Sequence, residues 1–169
     1  MLMTAVERRA AGAASPAFGA PPRGPSTVHP AHRPAKAQAP IGDSTGPKVL
    51  VIDDDEVIRE MIVKVLAREN LVYQAGDGVA ALSLLQRVGA VDVIVSDVMM
   101  PRLDGFEFAR AVKSNPDLSA VPILFLTARG SPTDQVEGIQ AGARSYLTKP
   151  FKVKDLLAAV ARASRRGPR

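Results

Sequence analysis

Five residues stand where an apolar run gives way to a turn, and their types complement one another: Asp53 and Asp54 after KVLVI, Asp97 after VIVS, Thr127 after ILFL and Lys149 after SYLT. Several carboxylates gathered in one place repel, and at neutral pH that repulsion has to be compensated. A divalent cation does so. Hard oxygen donors in a solvated crevice suit Mg²⁺, or Mn²⁺, which takes a carboxylate or two, keeps several waters and accepts a phosphate oxygen. Asp97 is then a candidate nucleophile for phosphoryl transfer, because a carboxylate ionised at pH 7 needs no base and forms an acyl phosphate. The remaining work is positioning and charge neutralisation. The Lys149 ammonium can pair with one phosphoryl oxygen and the Thr127 hydroxyl can donate to another.

Taken singly, each residue has a plainer role. One of Asp53, Asp54 and Asp55 serves as N-cap or first-turn charge for the helix that follows. Asp97 alone is the end of a strand before a polar turn, Thr127 an ordinary strand-end residue, Lys149 a surface lysine and Tyr146 a half-buried strand aromatic. The chemistry exists only if four strand ends converge, so the elements that carry them decide the matter.

Lys48 to Ile52 is a short apolar β run, and Val57, Ile58, Met61, Ile62, Val65 and Leu66 recur at helical spacing through about Glu69. Leu71 to Ala75 reads as a second strand and Val79 to Val88 as a second helix. Val91, Val93, Ile94 and Val95 are β-branched, which suits a central parallel strand buried on both faces. Gly105 to Ser114 is predicted as a helix stopped by Asn115-Pro116, and Val121 to Leu126 as a strand. Pro132 to Ala141, opened by Ser131, is predicted as the fourth helix, Ser145 to Thr148 as the fifth strand and Val153 to Ala163 as the last helix. Five strands alternating with five helices predict an α/β fold with right-handed crossovers and a parallel sheet covered by helices on both faces. Of the doubly wound orders, the flavodoxin-like 2-1-3-4-5 fits the count. It sets the carboxyl ends of strands 1 and 3 side by side at the switch point, which brings the five residues to one crevice.

The rest of the chain bounds the reading. Residues 1–46 are rich in Ala, Pro and Gly, with no sustained period and with prolines at 16, 21, 22, 25, 30, 34 and 40, and are expected to be a disordered tail. His29 and His32 fall in it and are read as solvated rather than metal-binding. The folded domain is expected over 47–164, with a basic tail at 165–169. The net charge of +5 sits at the ends. Residues 1–46 carry Arg8, Arg9, Arg23, Arg33 and Lys36 against Glu7 and Asp43, and Arg165, Arg166 and Arg169 close the chain. The middle is near neutral and poor in aromatics, which argues against a dedicated nucleic-acid module. The absence of cysteine excludes disulfides and thiolate metal sites. Glu7-Arg8-Arg9 interrupts any leader-like apolar region, and no run reaches a membrane span, so a cytoplasmic protein is expected.

With these residues in place, the sequence resembles the receiver domain of bacterial two-component response regulators. VLVIDDDEVIRE, VIVSDVMMPRLDG, ILFLTAR and SYLTKPF match that family's acidic pair, phosphoacceptor loop, switch threonine and lysine-proline motifs in order, over about residues 48–163. The resemblance implies that Asp97 is phosphorylated by a sensor histidine kinase, a histidine phosphotransfer protein or a small phosphodonor. It further implies that Asp54 and Asp97 bind Mg²⁺ with the backbone carbonyl of Met99, Asp53 assisting, and that Asp55 lies outside the site. Thr127 and Lys149 would sense and hold the phosphoryl group, Tyr146 would turn inward as Thr127 moves, and Lys149-Pro150 would be a cis peptide. The response would repopulate the surface made by the fourth helix, fifth strand and fifth helix. Small Ala128 would leave the site open to a donor.

The C-terminal SRRGPR is too short for an output domain, which points to a stand-alone receiver without its own DNA-binding domain, acting on a downstream protein or in a relay. A phosphorylation-dependent dimer is compatible with this reading. An enzyme reading competes: Asp53-x-Asp55-x-Val57 after an apolar strand also resembles the nucleophile motif of haloacid-dehalogenase-type phosphatases, with Asp53 as nucleophile. That reading lacks an acidic pair after Lys149, since only Asp155 follows, and it leaves the SDVMMP loop without a role.

Overall fold

The computed structural model describes residues 39–128 and 140–165. The expectations for residues 1–38 with His29 and His32, for most of the helix at 132–141, and for residues 166–169 lie outside the described residues.

In chain order the described elements are β1 (Ile41–Gly42), β2 (Lys48–Ile52), α1 (Glu56–Leu66), β3 (Leu71–Ala75), α2 (Gly78–Val88), β4 (Val93–Asp97), α3 (Gly105–Ser114), β5 (Ile123–Thr127), β6 (Ser145–Thr148) and α4 (Val153–Ser164). The sheet order is β1-β3-β2-β4-β5-β6. β2 pairs in parallel with β3 and β4, β4 with β5, and β5 with β6, so the five parallel strands take the expected flavodoxin-like order. The sixth strand corrects the expectation. Ile41 and Gly42, read from sequence as the end of the tail, pair antiparallel with Val72 and Leu71. Two residues without a repeating pattern carry no strand signal of their own; the open edge of β3 imposes the conformation. Gly42 suits that place, because its φ is +104° and a Cβ there would lie 2.4 Å from the carbonyl oxygens of Ala67 and Asn70. The ordered part thus reaches back at least to Ile41 rather than beginning at Pro47.

Strand alternation assigns each apolar residue to a face. Val49, Val51, Val93, Val95, Leu124 and Leu126 meet α1 and α4 through Ile62, Val63, Leu66, Leu156, Ala159 and Val160. Leu50, Ile52, Ile94, Ile123 and Phe125 meet α2 and α3 through Ala81, Leu84, Leu85, Phe106, Phe108 and Val112. Both faces of the central strands are therefore covered, as their unbroken apolar runs require. Each fully buried side chain of this kind contributes about 1.5–3 kcal/mol, enough in sum to carry a few polar groups at the strand ends. Those groups are concentrated: of the buried polar residues Asp53, Asn70, Asp77, Ser96, Asp97 and Thr127, four lie at or just beyond the carboxyl ends of β2, β4 and β5.

The caps explain where the helices begin. The Asp55 side chain accepts from the Val57 and Ile58 amides, so Asp55 is the member of the acidic cluster that caps α1. Asp77 caps α2, and Asp104 forms a reciprocal capping box with Glu107 on α3.

Candidate functional site

At the carboxyl end of the sheet the Lys149 ammonium lies 2.8 Å from Asp53 Oδ2 and 2.8 Å from Asp97 Oδ2. The switch-point topology, with β2 beside β4 and β6 two strands away, is what lets three residues far apart in sequence meet. Asp53 follows β2 immediately and is fully buried, and Asp97 ends β4 with little exposure. Asp53 Oδ1 accepts from the Asp55 amide at 3.0 Å, and Asp97 Oδ1 from the Met99 amide at 3.2 Å. Each carboxylate is thus fixed by a neighbouring amide on one oxygen and by the shared lysine on the other.

Asp54 is exposed, yet its carboxylate completes a cluster with Asp53 and Asp97 in which one oxygen of each lies within 4.8 Å of the others. Burial pushes the Asp53 carboxyl above the usual carboxylate range; the Lys149 ammonium and the Asp55 amide pull it down, and the Asp97 charge pushes it up again. For Lys149 burial works against the charge, but hydrogen bonds and attraction from Asp53 and Asp97 outweigh it and raise its pKa above the ordinary lysine value. The donor set is all oxygen and short of positive charge. That is the chemistry a hard divalent cation fits, with Asp53, Asp54 and Asp97 as the residues that would hold it.

Close approach shapes the loop after Asp97. The Gly105 amide donates to the Val98 carbonyl at 2.9 Å, and a Cβ on Gly105 would lie 2.3 Å from the Asp97 carbonyl oxygen. Only glycine lets α3 start this close to the strand end. Thr127, at the end of β5, is buried, and its carbonyl accepts from the Lys149 amide at 2.7 Å, which ties the two strand ends by their backbones. The Lys149-Pro150 peptide is cis.

Not every candidate lies among the carboxylates. Tyr146 is a half-buried residue of β6 whose ring sits 5.8 Å from that of Phe125, on the α2–α3 side of the sheet. Met99 is exposed, with its amide on Asp97. Asp55 is engaged as a cap, which removes it from the place a second phosphatase carboxylate would take. Three residues escaped sequence reasoning. Arg59, one turn into α1, donates from Nη1 to the Asp53 carbonyl at 2.8 Å, and Arg102 pairs with Asp77 across two loops. Arg59 had a faint signal, four residues after the cap and thus at the same end of the helix; the Arg102–Asp77 pair had none.

A family model for the response regulator receiver domain matches residues 49–161. The chain is 44% identical over 120 residues to the response regulator MprA of Mycobacterium leprae, an alignment covering 70% of this chain and 51% of that protein. The chain thus spans about half the length of the curated relatives it matches. Among solved structures it is similar to the chemotaxis protein CheY4 of Vibrio cholerae, with a TM-score of 0.67, 40% identity, and coverage of 70% of this chain and 98% of that one. It is also similar to the receiver domain of the sensor histidine kinase PA1611 of Pseudomonas aeruginosa, whose structure has a magnesium ion coordinated in the active-site cleft. There the TM-score is 0.63 and the identity 30%, over 71% of this chain and 98% of that one.

Proposed function

The chain belongs to the response regulator receiver family, and from that premise we propose that Asp97 is the residue on which it accepts a phosphoryl group in two-component or phosphorelay signalling. The observation that carries the assignment is the Lys149 ammonium shared at 2.8 Å by Asp53 and Asp97 at the switch point of the sheet. Of that pair Asp97 is the acceptor, because Asp53 is fully buried, whereas Asp97 keeps some exposure beside the open loop of Met99.

An Asp97 carboxylate oxygen attacks phosphorus, the new O–P bond forms, and the bond from phosphorus to the donor's leaving atom breaks, that atom keeping the electron pair and taking a proton from solvent. Mg²⁺ held by Asp53, Asp54, Asp97 and the Met99 carbonyl would supply neutralisation of the incoming charge. Lys149, already at the acceptor, moves its attention from Asp53 to a phosphoryl oxygen, and the Thr127 hydroxyl donates to another. Tyr146 follows Thr127, and the outer surface of β6 and α4 is repopulated, which makes the signal legible to a protein partner. The chain is a signalling phosphoacceptor rather than a turnover enzyme, and its phosphodonor is a histidine kinase. Supply through a histidine phosphotransfer protein, a downstream protein target and a cytoplasmic setting belong to the same proposal. The aligned stretch covers 51% of MprA, so the output of that longer protein is not carried over to this chain. Among the described residues no helix is long and apolar enough to cross a membrane.

Incubation with acetyl phosphate and Mg²⁺ tests the assignment by intact mass. One phosphoryl group should be added to the wild-type chain and none to Asp97→Asn. Labelling that survives in Asp97→Asn but disappears in Asp53→Asn would move the acceptor to Asp53.

A further inference from the structure

Several contacts hold the loop from Val98 to Asp104, and two of them belong to the site: the Met99 amide on Asp97 and the Gly105 amide on Val98. Another lies on the far side. Arg102 has φ +73°, the one positive value at a non-glycine position among the described residues, and its guanidinium pairs with Asp77 Oδ2. The Asp77 side chain is 8% exposed, and its Oδ1 accepts from the Ala80 amide at 2.9 Å as the N-cap of α2. The adjoining residues meet as well, since a Cβ on Gly78 would lie 2.8 Å from Leu103 Cδ2 and 3.0 Å from the Leu103 carbonyl oxygen.

A left-handed backbone suits glycine or asparagine, and arginine holds it only where its surroundings enforce it. The buried Asp77 carboxylate supplies the enforcement, because one oxygen is committed to the helix cap and the other requires a cation. α2 is in turn fixed to the sheet through Ala81, Leu84 and Leu85. The chain of contacts runs from the core, through the cap of α2, to the loop that carries Met99.

We propose that Arg102, acting through Asp77, is a positioning residue for the phosphoacceptor loop, holding the backbone so that the Met99 carbonyl faces the Asp53–Asp54 side. The inference rests on the metal reading given under Proposed function. It makes Mg²⁺ affinity depend on a residue that touches neither the cation nor the phosphoryl group.

The test uses the full-length chain and two readouts: Mg²⁺ titration by calorimetry, and the urea midpoint by far-ultraviolet circular dichroism in EDTA. Arg102→Gly removes the pair but accepts the positive φ, and Asp77→Asn keeps a capping oxygen but removes the charge. Each should weaken Mg²⁺ binding about three- to tenfold, somewhat less than loss of a group bonded directly to a ligand. The double variant should be no weaker than the single ones, because both break one linkage. Arg102→Lys, which keeps the charge, should recover most of the affinity. Midpoints that fall while Mg²⁺ affinity stays at the wild-type value would reduce the pair to scaffolding and overturn the inference, as would additive losses in the double variant. A wild-type chain that binds no Mg²⁺ overturns the metal reading and this inference with it. Wild-type binding matched by Arg102→Gly overturns the inference alone.

Discussion

Replacing Lys149 by methionine tests the electrostatics of the site most directly. The ammonium is the shared partner of Asp53 and Asp97 at 2.8 Å each, and the Lys149 side chain is only 18% exposed. Methionine preserves much of the buried stem and deletes the charge. Breaking a buried pair from one side costs about 3–5 kcal/mol, because an uncompensated charge stays behind. Here two carboxylates are left, but Asp54 opens the site to water and one carboxylate can take up a proton. A loss of about 2–3 kcal/mol in metal-free buffer is therefore expected. Mg²⁺ should then do more for the variant than for the wild type, since the cation no longer shares its ligands with a lysine. At free Mg²⁺ a hundredfold above its Kd the wild type gains about 2.7 kcal/mol. A further gain of about 1.4 kcal/mol in Lys149→Met at the same Mg²⁺ concentration would correspond to tenfold tighter binding. Urea unfolding followed by far-ultraviolet circular dichroism, in EDTA and in Mg²⁺, reads both quantities, and the chain contains no tryptophan that would favour fluorescence. An apo loss below about 1 kcal/mol, or a Mg²⁺ gain no larger than that of the wild type, would refute the claim that Lys149 stands in for the cation.

Two other substitutions probe the frame around the site. Gly105→Ala would put a methyl 2.3 Å from the Asp97 carbonyl oxygen, so the start of α3 or the loop must move. A stability loss of at least about 1–3 kcal/mol, with slower labelling by acetyl phosphate, is expected, and unaltered labelling would show that the loop tolerates the shift. Lys113 tests pH linkage away from the carboxylates. Its ammonium donates to the Ser119 and Val121 carbonyls, and burial, with Arg144 nearby, holds its pKa below the ordinary value of 10.5. Between the depressed folded value and 10.5 the unfolded chain binds the extra proton, so stability from this group rises with pH over that window. The urea midpoint of wild type relative to Lys113→Met should therefore increase from pH 8 to pH 10; a constant or shrinking difference would contradict the shift.

How far the sequence led depends on the kind of physics each feature rests on. The parallel sheet was legible because both-face burial leaves unbroken runs such as VLVI and VIV, and because the crossover rules leave few orders to choose among. The gathering of Asp53, Asp97 and Lys149 followed from that order, since switch-point geometry fixes which strand ends meet. Asp55 as the cap of α1 could only be narrowed to one of three aspartates, because all three are equally suited to capping by type and the backbone turn decides among them. Ile41–Gly42 was missed for the opposite reason. A two-residue strand has no period to detect, and it exists because β3 presents an open edge and the turn between α1 and β3 presents the Ala67 and Asn70 carbonyls, which exclude any side chain at Gly42. Arg102 with Asp77 is a contact between two loops, where identity gives no hint of the partner.

The shared lysine also bears on how the proposed site would be filled. Asp53 and Asp97 are not idle carboxylates awaiting a cation; each already has a charged partner on Oδ2 and an amide on Oδ1. On the proposed reading, Asp54, at the exposed edge of the cluster, would be the ligand least contested by Lys149, and a cation held there would supply neutralising charge beside Asp53. Lys149 would stay beside Asp97, ready for a phosphoryl oxygen, with its backbone tie to Thr127 kept. On that reading the exposure of Asp54, which singly resembles an ordinary surface aspartate, is what would open a buried, pre-neutralised acceptor to the ion. Asp54→Asn should accordingly slow Mg²⁺ association more than it accelerates dissociation, in stopped-flow mixing detected by a Mg²⁺ indicator. A variant whose lower affinity lay wholly in the dissociation rate would show that Asp54 holds the ion without admitting it.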